Sequence, residues 1–326
     1  MHLSGRERSR NAFRSMATGF AAYPSSGAWA AVAALGMAGA GLLIPLGVAV
    51  QAADAALLAG VLALLLGLGW FYATRRPAPP IAAACQGLAF IIAVSSVLTV
   101  LSYLAARAPV PLLDGLYARW DAAIGFDWLA HRRWVASLPS LELALQLAYF
   151  SFQLQLFVII VALAALNRPA LREFLIAFFI TACVTIAFSL FFPAMGAFHF
   201  HKPELFGLAG GDPLQGRWHY AHLEALRAGT LNVIPLRNAE GLIQFPSFHA
   251  VMAALFARAL WQAPYLGPPA AALNGLVVLS TLSIGGHYLV DVIAGGLLAA
   301  AVLVALRLRE TRGARARTPD AAFAGP

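Results

Sequence analysis

A chain of 326 residues that is 61% hydrophobic, with 11% charged residues and a mean hydropathy of +0.76, has too little polar surface to cover a soluble domain. It reads as an integral membrane protein. The net charge of +8 comes with no nucleic-acid-reading motif, so no nucleic-acid partner is expected. Cys85 and Cys183 each lie inside a long apolar run, which argues against a structural disulfide or a cysteine metal site.

In chain order, residues 1–27 carry Arg6, Arg8, Arg10 and Arg14 without a sustained apolar stretch and are expected to form a basic cytoplasmic arm. The apolar run that follows is too long for a cleavable signal peptide and reads as a signal anchor. Stretches long enough to cross a bilayer fall at about 28–50, 55–73, 80–104, 140–166, 172–193, 248–265, 269–286 and 288–306. The expected fold class is therefore all-α, a polytopic membrane helix bundle of about eight transmembrane helices. With the N-terminus inside, the inner segments hold fourteen basic residues against four acidic ones, so the positive-inside rule puts both termini in the cytoplasm. The expected location is a bacterial inner membrane, with the stretches around His249 and His287 at its extracytoplasmic face.

Two outer segments exceed the length of a turn. The first, about 105–139, sets Leu112, Leu113, Leu116 and Trp120 at helical spacing with Asp114, Arg119 and Asp121 on other faces. It reads as one or two amphipathic helices in the headgroup layer, anchored by Trp120, Trp128 and Trp134. The second, about 194–246, gathers Lys202, Arg217, Arg227 and Arg237 with His199, His201, His219 and His222. A loop of that length in a compact protein is usually functional, and Gly207, Gly210, Gly211 and Gly216 permit it to move. The tail, 307–326, carries five arginines and is expected to be disordered near anionic headgroups.

The chemistry concentrates in two short stretches, Phe245-Pro246-Ser247-Phe248-His249-Ala250 and Ser280 to Asp291. His287 and Asp291 are four apart, which on a helix stacks the carboxylate beneath the imidazole and holds it in one tautomer. Ser247 and His249 open an apolar helix after a proline, so free N–H groups and the positive helix end face outward, where a phosphate fits. Polar glue between helices is one reading of these residues. A transporter relay is another, but such sites sit at mid-bilayer in repeated halves, and no repeat is visible. A metal is a third, yet His199-Phe200-His201 and His219-Tyr220-Ala221-His222 come with neither a His-Glu-x-x-His helix nor a cysteine set. The fourth is phosphoryl transfer through a phosphohistidine, which needs a nucleophilic imidazole braced by a carboxylate, a second imidazole as acid, and donors around the phosphoryl oxygens.

Pro246-Ser247-Phe248-His249 and His287-Tyr288-Leu289-Val290-Asp291 resemble the second and third signature motifs of the type 2 phosphatidic acid phosphatase superfamily. Ser280-Thr281, the Gly-Gly-His-Tyr step and the Pro-Ser-Phe-His spelling are similar to its inositol phosphorylceramide synthase branch. The resemblance implies a six-helix core over 80–306, with 28–79 as two added helices. It also implies His287 as nucleophile, Asp291 as its orienting partner, His249 as general acid, and Ser247 with the N–H of Phe248 as phosphate ligands. Thr281 stands where the phosphatase members carry an arginine, and the first motif has no counterpart in the outer loop. The missing cation is therefore expected from Arg227, with Arg217 and Arg237 next.

The expectation is a membrane phosphotransferase that moves a phospho-headgroup, phosphoinositol by the branch resemblance, between lipid alcohols. Its partners are phospholipid or sphingolipid substrates in the bilayer, and neither a cofactor nor a metal is required. A broad lipid phosphatase is the alternative enzyme, and a transporter or membrane scaffold the alternative without catalysis. The headgroup, the acceptor and the oligomeric state stay open.

Overall fold

The computed structural model describes residues 24–208, 217–261 and 265–317. The basic arm over residues 1–23, the loop glycines Gly210, Gly211 and Gly216, and residues 318–326 of the tail lie outside them.

The all-α expectation holds. Two helices come first, α1 (Ser26–Leu43) and α2 (Ala52–Thr74), joined through a two-residue strand β1 (Ala49–Val50). The Ser25 side chain caps α1 by accepting from the Ala28 N–H at 3.1 Å. Only Asp54 and Gly69 are buried in α2, an otherwise apolar helix suited to face lipid on most sides. Next come α3 (Pro79–Ala106), with prolines in its first turn, and the short helices α4 (Asp114–Ala123) and α5 (Trp128–Ala136).

Helices α6 (Pro139–Phe150) and α7 (Phe152–Leu166) form one apolar path bent by 49°. The bend falls at Ser151, whose hydroxyl donates to the Ala148 carbonyl at 2.6 Å and so competes with the helical ladder. Helix α8 (Arg168–Phe191) is capped by Asn167 and returns toward the same end of the bundle as α3. The loop after it holds α9 (Ala197–His201), a 3-10 turn (Pro203–Phe206), α10 (Tyr220–Arg227) and strand β2 (Val233–Ile234), which pairs in parallel with β1. Three helices complete the chain: α11 (Phe248–Trp261), α12 (Gly267–Ser283) and α13 (Leu289–Arg317).

The largest core joins α3, α7, α8, α11 and α13 through buried Phe90, Val94, Ile160, Phe178, Phe256 and Ala299. Among the described residues, five helices are long and apolar enough to cross a membrane, and six when the bent α6–α7 pair is one span. The expected eight is not reached on this measure, because α11 and α12 have 14 and 17 residues. At about 1.5 Å per residue such helices fall short of a hydrocarbon layer of roughly 30 Å. The tail also departs from expectation: α13 continues as helix to Arg317, in a stretch rich in strong helix formers.

The stretch expected as amphipathic helices forms two of them, with Trp120 and Trp134 exposed as headgroup anchors would be, whereas the third expected anchor, Trp128, is buried. Asp114, Tyr117 and Asp121 point inward and are buried, whereas Trp120 is exposed. The reason is chemical. The main-chain N–H groups of Met195 and Gly196 lie beneath Asp114 and those of Leu289 and Val290 beneath Asp121, and the two carboxylates accept from them where water does not reach.

Candidate active site

The His287 stretch is an irregular link between α12 and α13, and almost every polar group along it is held. The His287 N–H donates to the Thr281 carbonyl at 3.0 Å, and the His287 carbonyl accepts from the Trp128 indole at 3.1 Å. One residue earlier, the Gly286 carbonyl accepts from the Ala197 N–H at 2.7 Å. Gly286 has φ +74°, a left-handed conformation that other residues rarely adopt.

Asp291 is fully buried in the first turn of α13. The expected stacking of His287 and Asp291 on one helix face is corrected, because the helix begins only at Leu289. The Asp291 carboxylate folds back instead. Its Oδ2 accepts from the Tyr288 N–H at 3.0 Å and lies 3.4 Å from His287 Nδ1, a loose contact for a hydrogen bond. The next two N–H groups, of Leu289 and Val290, both donate to Asp121 at 2.9 Å. The start of α13 is thus closed by two carboxylates and offers no free donor there.

The start of α11 is built differently. Ser247 is fully buried and faces the first turn as its cap, with the Ala250 N–H 3.4 Å from its hydroxyl. Its own N–H donates to the main-chain carbonyl of Asp291 at 3.0 Å, which ties the two motifs together. Gly295 permits the approach: a Cβ there would collide with the Ser247 carbonyl oxygen. Val251 is the first residue of α11 to bond back along the helix, to Ser247 at 3.1 Å.

His249, two residues after Ser247, packs between the two sides of the α6–α7 bend. Tyr149 stacks on it at 4.5 Å between centroids and 19° between planes, and Phe152 meets it at 5.0 Å. The bend at Ser151 therefore aims two aromatic rings at one histidine. Across an open space the His249 and His287 rings stand 6.4 Å apart.

That space is a cavity of about 610 Å³. His249, His287, His219, Phe248, Tyr149, Trp218 and Gln153 line it, together with the continuous run Ala239–Gln244. Burial pushes His287 down to about 4, opposed by the main chain of Gln244. Burial also holds His219 down to about 4, against its 2.7 Å contact with the Met195 carbonyl. Both rings are therefore neutral at physiological pH.

The structure brings His249, His287 and Asp291 together but not the three loop arginines. Arg227 donates to the Val110 carbonyl at 2.7 Å, Arg237 pairs with Asp54 at 2.6 Å, and Arg217 lies 3.8 Å from Glu204. Among the described residues the cavity lining contains no Lys or Arg, and Glu240 is its one carboxylate. The Thr281 hydroxyl turns back to its own helix at Val278, 2.6 Å away. Of the four loop histidines only His219 reaches the lining. His222 bonds the Tyr103 hydroxyl at 2.7 Å, His201 stacks on Trp128, and His199 meets the edge of Tyr220.

Sequence reasoning missed the role of Asp114. Its carboxylate accepts from the N–H groups of Met195 and Gly196 and from the Tyr288 hydroxyl at 2.8–3.0 Å. The available signal was the spacing of Asp114, Tyr117 and Asp121, which places all three on one helical face.

A family model described as the PAP2 superfamily matches residues 117–305. That range contains both histidines and Asp291 and leaves out α1, α2 and α3. No curated protein and no solved structure matches the chain.

Proposed function

The chain belongs to the PAP2 superfamily, whose members are generally phosphatases or phosphotransferases, and from that premise we propose a membrane phosphotransferase working through a phosphohistidine on His287. The observation that carries this reading is that the His249 and His287 rings share one cavity, 6.4 Å apart. A neutral His287 has a lone pair to offer phosphorus, and Asp291 beside Nδ1 favours the tautomer that leaves the other nitrogen free.

In the first step a bond forms between the His287 ring nitrogen and phosphorus while the bond from phosphorus to the first alcohol breaks. His249 gives that alkoxide its proton. In the second step His249 takes a proton from the incoming alcohol, whose oxygen attacks phosphorus and releases His287. In this reading the N–H groups of Phe248 and His249, in the first turn of α11, receive phosphoryl oxygens. The buried Ser247 hydroxyl serves that turn as its cap.

Charge favours a diester. With no Lys or Arg among the described residues of the lining, the negative substrate is matched by N–H donors and by the one proton that His249 takes up beside the bound anion, which suits a single charge better than the two of a phosphomonoester. We therefore read the donor as a headgroup phospholipid, phosphoinositol in class, and the acceptor as a ceramide-type or glyceride alcohol. The excess of arginine in the inner segments supports cytoplasmic termini and a site at the outer face.

The test is to incubate membranes with phosphatidylinositol labelled in its headgroup phosphate, with ceramide or diacylglycerol as acceptor. Label in a new lipid is the expected result. Label released as water-soluble inositol phosphate would make water the acceptor, and free phosphate released from a phosphatidic acid donor would make the enzyme a lipid phosphatase. Normal turnover by His287→Ala would remove the proposal altogether.

A further inference from the structure

The two N-terminal helices lie outside the family-matched range, yet they grip the segment that forms one wall of the cavity. The grip has three parts. Strand β1 pairs with β2, the Ala49 N–H donating to the Asn232 carbonyl at 2.9 Å and the Gln51 N–H to Ile234 at 3.0 Å. Val48 packs in one buried cluster with Ile234 and Leu242. Asp54, in the first turn of α2, receives both the Arg237 N–H at 3.1 Å and the Arg237 Nε at 2.6 Å.

Two residues beyond Arg237 the chain enters the lining, and it remains there from Ala239 to Gln244. The wall has few other ties. Tyr103 holds the Glu240 N–H at 2.9 Å, and the Gln244 side chain reaches His219 at 3.0 Å. Gly241 between them is exposed. The position of Gln244, which lines the cavity together with His287, therefore depends on where the segment is anchored at Arg237.

We propose that Asp54 and Arg237 are positioning residues: a latch by which the added N-terminal helices set the Ala239–Gln244 wall, and so the fit of the lipid headgroup in front of His287. The proposal rests on the cavity being the active site. It gives α1 and α2 a function that the matched core lacks, and it assigns Arg237 to holding the wall instead of holding phosphate. Substrate binding should then suffer more than the chemical step when the latch is cut, because neither residue touches reacting atoms.

The test compares wild type, Asp54→Ala, Arg237→Ala and Arg237→Lys in mixed micelles, with phosphatidylinositol or phosphatidic acid as donor, whichever wild type turns over. The two alanine variants are expected to raise KM tenfold or more with kcat within threefold, and Arg237→Lys to recover part of the loss. A second arm uses hydrogen exchange of residues 239–244, which needs no substrate; exchange is expected to quicken tenfold in Asp54→Ala. A third places Ala49→Cys with Val233→Cys on the Asp54→Ala background, where the closed disulfide should restore KM. Unchanged exchange at 239–244, or a KM defect that the closed staple leaves in place, overturns the latch. An inactive wild type or an active His287→Ala strikes the function reading instead, and the exchange arm then still decides the latch.

Discussion

The rings of His249 and His287 face each other at 6.4 Å and 61°, one at the start of α11 and the other in the link before α13. One phosphoryl group fits between rings so spaced, and the two imidazoles then have distinct tasks. His287→Ala is expected to abolish turnover with the fold intact. His249→Ala should slow a lipid donor by about 10²–10⁴-fold, the usual worth of a general acid, while a phenyl phosphodiester, whose leaving group needs no proton, still loads label onto His287. Rapid quench followed by detection of acid-labile protein phosphate measures both. Equal losses for the two kinds of donor in His249→Ala would deny that histidine its acid role.

Acid should act on this enzyme later than a free histidine would suggest. His287 and His219 are held down to about 4 by burial, against an ordinary value of 6.5. Neutral His287 therefore persists as pH falls through 6, and the acid limb of kcat/KM is expected well below 6.5. Stability has the opposite sensitivity. Between pH 6.5 and about 4 the unfolded chain binds protons that the folded chain refuses, so folding weakens as pH falls through that window. Each histidine contributes on the order of 3 kcal/mol at the bottom of it. Thermal midpoints in detergent from pH 8 to 4.5 check the slope, and His219→Gln should flatten it.

The all-α class and the placing of several spans were legible because hydropathy is a local property. The spans expected near 80–104, 140–166 and 172–193 correspond to α3, the α6–α7 pair and α8 within a few residues. Direction within an element was less visible. Asp114 and Asp121 read as the polar face of α4, yet they go inward because N–H groups of Gly196 and Leu289, distant in sequence, require acceptors there. The three arginines were misjudged for the same reason. Their partners, Val110, Asp54 and Glu204, are set by tertiary contact and leave no mark on the local pattern.

Glu240 sharpens the question of substrate charge. Among the described residues it is the one carboxylate in a lining without Lys or Arg, and it opposes a second negative charge on the phosphoryl group. Glu240→Gln is therefore expected to improve kcat/KM for phosphatidic acid relative to phosphatidylinositol by about tenfold, a change of roughly 1.4 kcal/mol. Competition between the two donors in one micelle measures the ratio directly. An unchanged ratio would mean that the carboxylate is not felt at the phosphoryl position.

Arg132 tests how firmly the outer helices must hold the His287 link. It is fully buried, donates to Glu142 at 2.6 Å and to the Leu208 carbonyl at 2.8 Å, and so ties α5 to α6 and to the loop. Trp128 lies one helical turn earlier on α5 and holds the His287 carbonyl. Arg132→Ala would strand Glu142 in a half-dry site, and loss of one partner of a buried pair costs about 3–5 kcal/mol. A clear fall in thermal midpoint is expected. Replacing both partners, Arg132→Met with Glu142→Leu, should recover most of the midpoint, since no uncompensated charge then remains. If α5 serves only to carry Trp128, the double variant will also recover kcat. If kcat stays low with the midpoint restored, the Leu208 contact holds the loop in a way the link requires.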